Sequence, residues 1–248
     1  FALKRIERDV VDTLPPGYAE YAARDSAQTD LIVSNAAFMT RIYRESFWYD
    51  GEIAEFGSPR NDVLFTDGVP ARKKVAALLG LPADGSIVLY APTFRSDGSM
   101  DAYCVDYSRL RAALERRFGG RWVVLVRLHP HVMAQAKDLR FDGETTFDAT
   151  AYDDMQELLA AADAVVSDYS SLMFDYGLTK RPCFQFAVDI VAYQKDRNFY
   201  FPLEKMPFPL ARDNDELERA VLSWQREDAA AAWDGFSRAF GLCEDGHA

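Results

Sequence analysis

Cysteine is scarce in this chain, and what there is forms no pattern. Cys104, Cys183 and Cys243 are odd in number, far apart and without C-x-x-C spacing, so no cysteine framework organises the fold. Cys183 lies in the apolar run PCFQFA and reads as a small core residue rather than a reactive thiol. A reducing, cytoplasmic setting fits such usage. An excess of positive charge is also lacking: 28 Lys and Arg stand against 39 Asp and Glu, a net charge of -11. That balance excludes a broad nucleic-acid or anionic-membrane surface, though one basic pocket for a small anion stays compatible. No stretch approaches the roughly 20 apolar residues that cross a bilayer, and the opening FALKRIERDV has no apolar signal-peptide core. Internal repeats and low-complexity segments are absent. The chain starts at Phe1 without Met, in what reads as mid-element, so a piece of a longer protein is expected.

What is present is an alternation of short apolar runs with helical patterns. SIVLYA (86–91), RWVVLVRL (121–128), DAVVSD (163–168) and PCFQFA (182–187) read as strands. YSRLRAALERRFG, DMQELLAAA and SSLMFDYGLTK, with apolar spacing near 3.6, read as the helices between them. Near-continuous apolar strands imply burial on both faces, hence an α/β fold with a Rossmann-like parallel sheet. A weaker form of the same pattern, DLIVSN, AAFMTRIYRESF and EIAEFG, occupies the first 57 residues, and GSPRND (57–62) reads as a connector. The expected division is residues 1–57 as the last part of an N-terminal half, 58–212 as a ligand-binding domain, and 213–248 as helices packed across the end.

In open α/β sheets, ligands bind beyond the carboxyl ends of the strands, so the residues just after each strand are the ones to weigh. PTFR offers Thr93 and Arg95, a hydroxyl and a fork of donors matched to phosphate oxygens. A surface salt bridge is the plainer role for Arg95. VRLHPH places Arg127, His129 and His131 around Pro130, and His129 is a candidate to anchor or protonate a leaving phosphate. SDYSS sets Ser170 and Ser171 at a helix start, where free backbone N–H groups favour anions. Ordinary capping by Asp168 or Ser170 explains the same residues. Asp175, one turn deeper, suits a ribose hydroxyl better than a phosphate. Hydroxyls, Arg, His and one carboxylate at neighbouring strand ends favour a nucleotide-diphosphate site over unrelated coincidences.

YAPTFR, RLHP, SDYSSLMFDYGLTKRP and GSPRND, in that family's order, together resemble the CDP-glycerol:poly(glycerophosphate) glycerophosphotransferases, the teichoic-acid and capsule polymerases of glycosyltransferase-B architecture. The resemblance implies a GT-B-type donor-binding domain plus the remnant of an N-terminal half. It implies transfer of a polyol phosphate, glycerol phosphate first, from a CDP-polyol to an acceptor hydroxyl with release of CMP. Thr93, Arg95, Arg127, Ser170 and Ser171 would then bind the donor, with Asp175 on the ribose and His129 catalytic. Lys4 would be what remains here of an H-G-x-x-x-K pattern whose histidine precedes Phe1. The implied partners are the nucleotide-activated polyol and a glycan or polyol-phosphate acceptor. No metal is obligatory, while Mg²⁺ riding on the nucleotide is compatible. Any contact with the inner face of the cell membrane would come through other segments or the acceptor. The same features would also serve a nucleotide-sugar glycosyltransferase of this fold, or a non-catalytic nucleotide-binding module.

Overall fold

The computed structural model describes residues 1–95, 99–129, 141–196 and 198–248. After α1 (Tyr18–Ser26), strands β1 (Leu31–Ser34) and β2 (Glu52–Glu55) pair in parallel around α2 (Ala37–Ser46). A short 3₁₀ stretch, Pro59–Phe65, carries the chain to α3 (Val69–Leu79) and into a second sheet. Its elements follow in order: β3 (Gly85–Tyr90), α4 (Tyr107–Phe118), β4 (Arg121–Val126), β5 (Thr146–Asp148), α5 (Met155–Ala161) and β6 (Ala164–Ser167). Then come α6 (Leu172–Gly177), β7 (Cys183–Phe186), α7 (Ile190–Asp196), β8 (Leu210–Ala211), α8 (Asn214–Ser223) and α9 (Arg226–Phe240). All pairings in this six-stranded sheet are parallel, and the strand order is β5-β4-β3-β6-β7-β8. The chain winds outward one way from β3 and the other way from β6. Between these two neighbours lies the topological switch point, where open α/β sheets hold ligands.

Strand residues of opposite parity feed two separate cores. Ile87, Leu89, Val123, Leu125 and Val165 face α3, α5, α6 and α9, whereas Val88, Tyr90, Trp122, Val124 and Val166 face α4 and α8. Each aliphatic side chain so buried contributes about 1.5–3 kcal/mol relative to exposure. Burial on both faces is why these strands read as unbroken apolar runs and not as alternating ones. Asp106, Asp154 and Asp213 start α4, α5 and α8, each side chain accepting the backbone N–H three residues on.

The final helices tie the chain together. α8 lies on the second core through Leu217 and Val221, while Trp233 and Phe236 of α9 enter the first. At Gly177 the approach of α9 leaves no room for a side chain, since an added Cβ would lie 2.1 Å from Cζ3 of Trp233. Gly177→Ala is therefore expected to lower stability by about 1–3 kcal/mol. An unchanged melting temperature would refute that packing. Beyond α9 the chain returns to the first sheet: Leu242 bridges Ala36, the Cys243 amide donates to the Asn35 carbonyl, and Glu244 accepts from Asn35 and Asn61. Among the described residues no helix is long and apolar enough to cross a membrane.

Candidate functional site

A cleft of about 670 Å³ opens at the carboxyl ends of β3, β4 and β6, across the switch point. Its wall is built from three strand-end turns, Ala91–Phe94, Arg127–His129 and Tyr169–Leu172, closed on one side by the segment that begins at Phe1. Thr93, Arg127, His129, Ser170 and Ser171 all stand on this wall. His131 and Pro130 lie outside the described residues. Among the described residues, the cations on the wall are Lys4 and Arg127, and no carboxylate joins them, although the chain holds 39 acidic residues.

Thr93 is fixed by its backbone. Its N–H donates to Oδ1 of Asp168 at 2.8 Å, and its carbonyl accepts from Nη1 of Arg95 at 2.5 Å and from the Tyr103 hydroxyl at 3.0 Å. Burial pushes the Tyr103 phenol up to about 12, so it stays protonated as a donor at neutral pH. The Thr93 hydroxyl itself is buried with no hydrogen-bond partner among the described residues, an unsatisfied state that a ligand oxygen would relieve. Across the cleft the exposed His129 ring leans on Phe94, with centroids 5.6 Å apart. Arg127 is half-buried. Desolvation lowers its pKa, opposed by the charges of Asp154 and Asp153.

The serines are less formally arranged than a capped helix start would make them. Ser171 has helical dihedrals and makes no capping bond, and the Ser170 hydroxyl accepts weakly from the Leu172 amide at 3.4 Å. α6 spans only Leu172–Gly177, so its dipole is short. Asp168, 2 % exposed, turns inward and away from the cleft.

Two expected ligands are elsewhere. Arg95 does not reach the cleft: it is 6 % exposed, its Nη2 lies 2.9 Å from Oδ2 of Asp168, and its Nε donates to Oδ2 of Asp189 at 2.6 Å. It also lies over the rings of Tyr169 and Tyr193. A guanidinium this buried needs carboxylate partners, and here Asp168 and Asp189 supply them. Burial alone would lower the Arg95 pKa, and hydrogen bonds and charge from Asp189 and Asp168 outweigh it and raise it. Asp175 also stands off the cleft lining: it is 3 % exposed and accepts from Arg60 at 2.9 Å, Asn61 at 3.2 Å and Gln156 at 3.1 Å. Its carboxylate holds the Pro59–Phe65 connector against α6. Burial raises its pKa, against the attraction of Arg60.

Tyr193 and the Phe1–Lys4 segment line the cleft, and Asp189 stands behind it as a partner of Arg95; of these, pattern reading reaches only Lys4. Asp189 lies three residues beyond Phe186, the last of β7, close enough for the strand-end rule that flags the other three turns to include it. Lys4 Nζ sits 5.2 Å from the centroid of the Tyr193 ring, which stacks on Tyr169 at 3.9 Å. Desolvation pushes the Asp189 pKa up, but hydrogen bonds from Arg95 and Tyr169 bring it below its ordinary value. A lowered pKa contributes stability above the unfolded-state value of about 3.9, lost as pH falls through the folded one. The stability gap between the wild type and Asp189→Asn should therefore be full at neutral pH and close in acid; a pH-independent gap in urea denaturation would contradict this. Among the described residues no cluster of three or more His, Cys, Asp or Glu could hold a metal ion.

Comparison with known proteins gives concordant results. The model of the family described as CDP-Glycerol:Poly(glycerophosphate) glycerophosphotransferase matches residues 2–248. A teichoic acid poly(glycerol phosphate) polymerase of Staphylococcus epidermidis is 34% identical over 94% of this chain, and the match spans 35% of that polymerase, about a third of its length. Among solved structures, a variant of the wall teichoic acid polymerase TagF superposes with a TM-score of 0.80 at 31% identity, covering 99% of this chain and 63% of the other. The same variant soaked with CDPG matches equally well.

Proposed function

The chain belongs to the CDP-glycerol:poly(glycerophosphate) glycerophosphotransferase family, and from that premise we propose that its cleft binds the diphosphate of a CDP-polyol, CDP-glycerol first. The intact protein would then pass polyol phosphate to an acceptor hydroxyl in the synthesis of a teichoic-acid-like or capsule polymer. One observation carries this reading: in a chain of net charge -11, the described residues of the cleft wall include Lys4, Arg127 and the hydroxyls of Thr93, Ser170 and Ser171, and among them there is no carboxylate. Such a wall suits an anion, and the structure of TagF soaked with CDPG supports the choice of donor.

The reaction is an in-line displacement at the β-phosphorus. The acceptor oxygen forms the new P–O bond and gives up its proton to solvent, the bond to the bridging oxygen breaks, and CMP departs with that oxygen. Catalysis rests on positioning and charge neutralisation. Thr93, Ser170 and Ser171 hydrogen-bond the diphosphate, Arg127 and Lys4 offset its charge, and His129 meets the departing phosphate. Arg95 acts beneath the cleft through the turns it supports. The protein works on the cytoplasmic side, where nucleotide-activated donors are made, against an acceptor that brings it to the membrane. Incubating the full-length protein with CDP-glycerol or CDP-ribitol and a glycerol-phosphate primer, followed by mass spectrometry, tests this. CMP release with a gain of one polyol phosphate is expected; hydrolysis without transfer, or transfer from a nucleotide sugar instead, would refute it.

A further inference from the structure

The turns after β3 and β6 are joined by a single carboxylate oxygen. Oδ1 of Asp168 accepts from the Thr93 amide at 2.8 Å and from the Tyr169 amide at 2.6 Å, while Oδ2 lies 2.9 Å from Arg95. One of these amides precedes the unpartnered Thr93 hydroxyl on its own residue, and the other is one residue before Ser170. Because both N–H groups share one acceptor, neither turn can shift without the other. Arg95 and Tyr103 fix the Thr93 carbonyl from the opposite side, so the backbone of this residue is held at both ends and only its hydroxyl is left to act. Gln185 on β7 adds a third tie by donating to the Asp168 carbonyl at 3.0 Å.

We propose that Asp168 is a positioning residue for the donor diphosphate: without touching the ligand, it sets the spacing between the Thr93 hydroxyl and the Ser170–Ser171 hydroxyls across the switch point. The inference rests on the proposed function for the identity of the donor. A carboxylate beneath an anion site is unfavourable by charge alone, and pairing with Arg95 removes most of that cost. Its retention there is explained by geometry, because a carboxylate has two acceptor oxygens, one for both amides and the other for Arg95, whereas a side-chain amide has one and would turn its NH₂ against the guanidinium or against the two N–H groups.

The test is a double-mutant cycle in the full-length protein, read as Kd by calorimetry with two probes, CDP-glycerol and inorganic pyrophosphate. Asp168→Asn is nearly isosteric, and it leaves Arg95 its partner Asp189. It should weaken both probes about tenfold or more, the effect of misplacing a contact group. Thr93→Val should weaken binding in the wild type yet add less than about twofold in the Asp168→Asn background, since the hydroxyl it removes is already out of place. Independent, additive losses would overturn the proposal, as would unchanged affinity in Asp168→Asn. If that variant does not fold, Tyr103→Phe releases the Thr93 carbonyl without touching a charge and should show the same non-additivity with Thr93→Val. Non-additivity with pyrophosphate but no binding of CDP-glycerol would keep the positioning role and discard the donor assignment. Binding of neither probe by the wild type would discard both.

Discussion

Replacing His129 by Ala in the full-length enzyme should lower turnover by about 10²- to 10⁴-fold, the usual contribution of a placed proton donor, while leaving thermal stability nearly unchanged. The side chain is exposed on the cleft wall and its ring leans on Phe94, so little buried area is lost. CMP release under saturating donor is the measurement. The form of the loss separates two roles: a residue that protonates the leaving phosphate takes one limb of the kcat–pH profile with it, whereas one that only anchors the phosphate raises KM and leaves the profile's shape intact. Near-normal turnover would remove His129 from the reaction.

Arg95→Met should have the largest effect on the fold itself. The substitution leaves Asp168, 2 % exposed, without its cation, and Asp189 without two donors. Breaking a buried pair from one side costs about 3–5 kcal/mol, which corresponds to a fall in melting temperature of about 6–20 °C for a domain of this size. An arginine serving chiefly as a phosphate ligand would behave in the opposite way, with donor affinity falling and stability holding. Partial recovery in Arg95→Met combined with Asp168→Asn would identify the stranded carboxylate as the source of the loss, and no recovery would assign it to the stacking on Tyr169 and Tyr193.

The contrast between these two residues marks how far pattern carries. His129 and the hydroxyls are where the strand-end rule puts them, because the main chain fixes where a strand ends. The inner strands were legible for the same reason: Ile87–Tyr90 and Val123–Val126 are apolar without a break, as burial on both faces demands. Edge strands β5 and β8, three and two residues long, are too short to show a period. α3 was missed because it buries only Ala71 and Val75, too thin a stripe to stand out. Arg95 and Asp175 read as ligand groups because both side chains can bind one, and pattern does not show the partners they have within the fold. Their actual partners lie far off in sequence, Asp189 at a separation of 94 residues and Arg60 at 115. GSPRND, taken as a connector, is the segment that occupies Asp175 through Arg60 and Asn61.

The shared oxygen of Asp168 also bears on the order of events during synthesis. Thr93 and its acceptor are 75 residues apart, a stretch that takes about 4–15 s to emerge at ~5–20 residues per second. Until β6 is laid beside β3, the Thr93 amide lacks this acceptor and the cleft does not exist in its binding form. Contacts of such long sequence separation form late, because loop closure must come first. If the cleft binds the proposed donor, that binding reports the arrival of the sheet's second half, and a chain caught with only its first half folded would be silent to it.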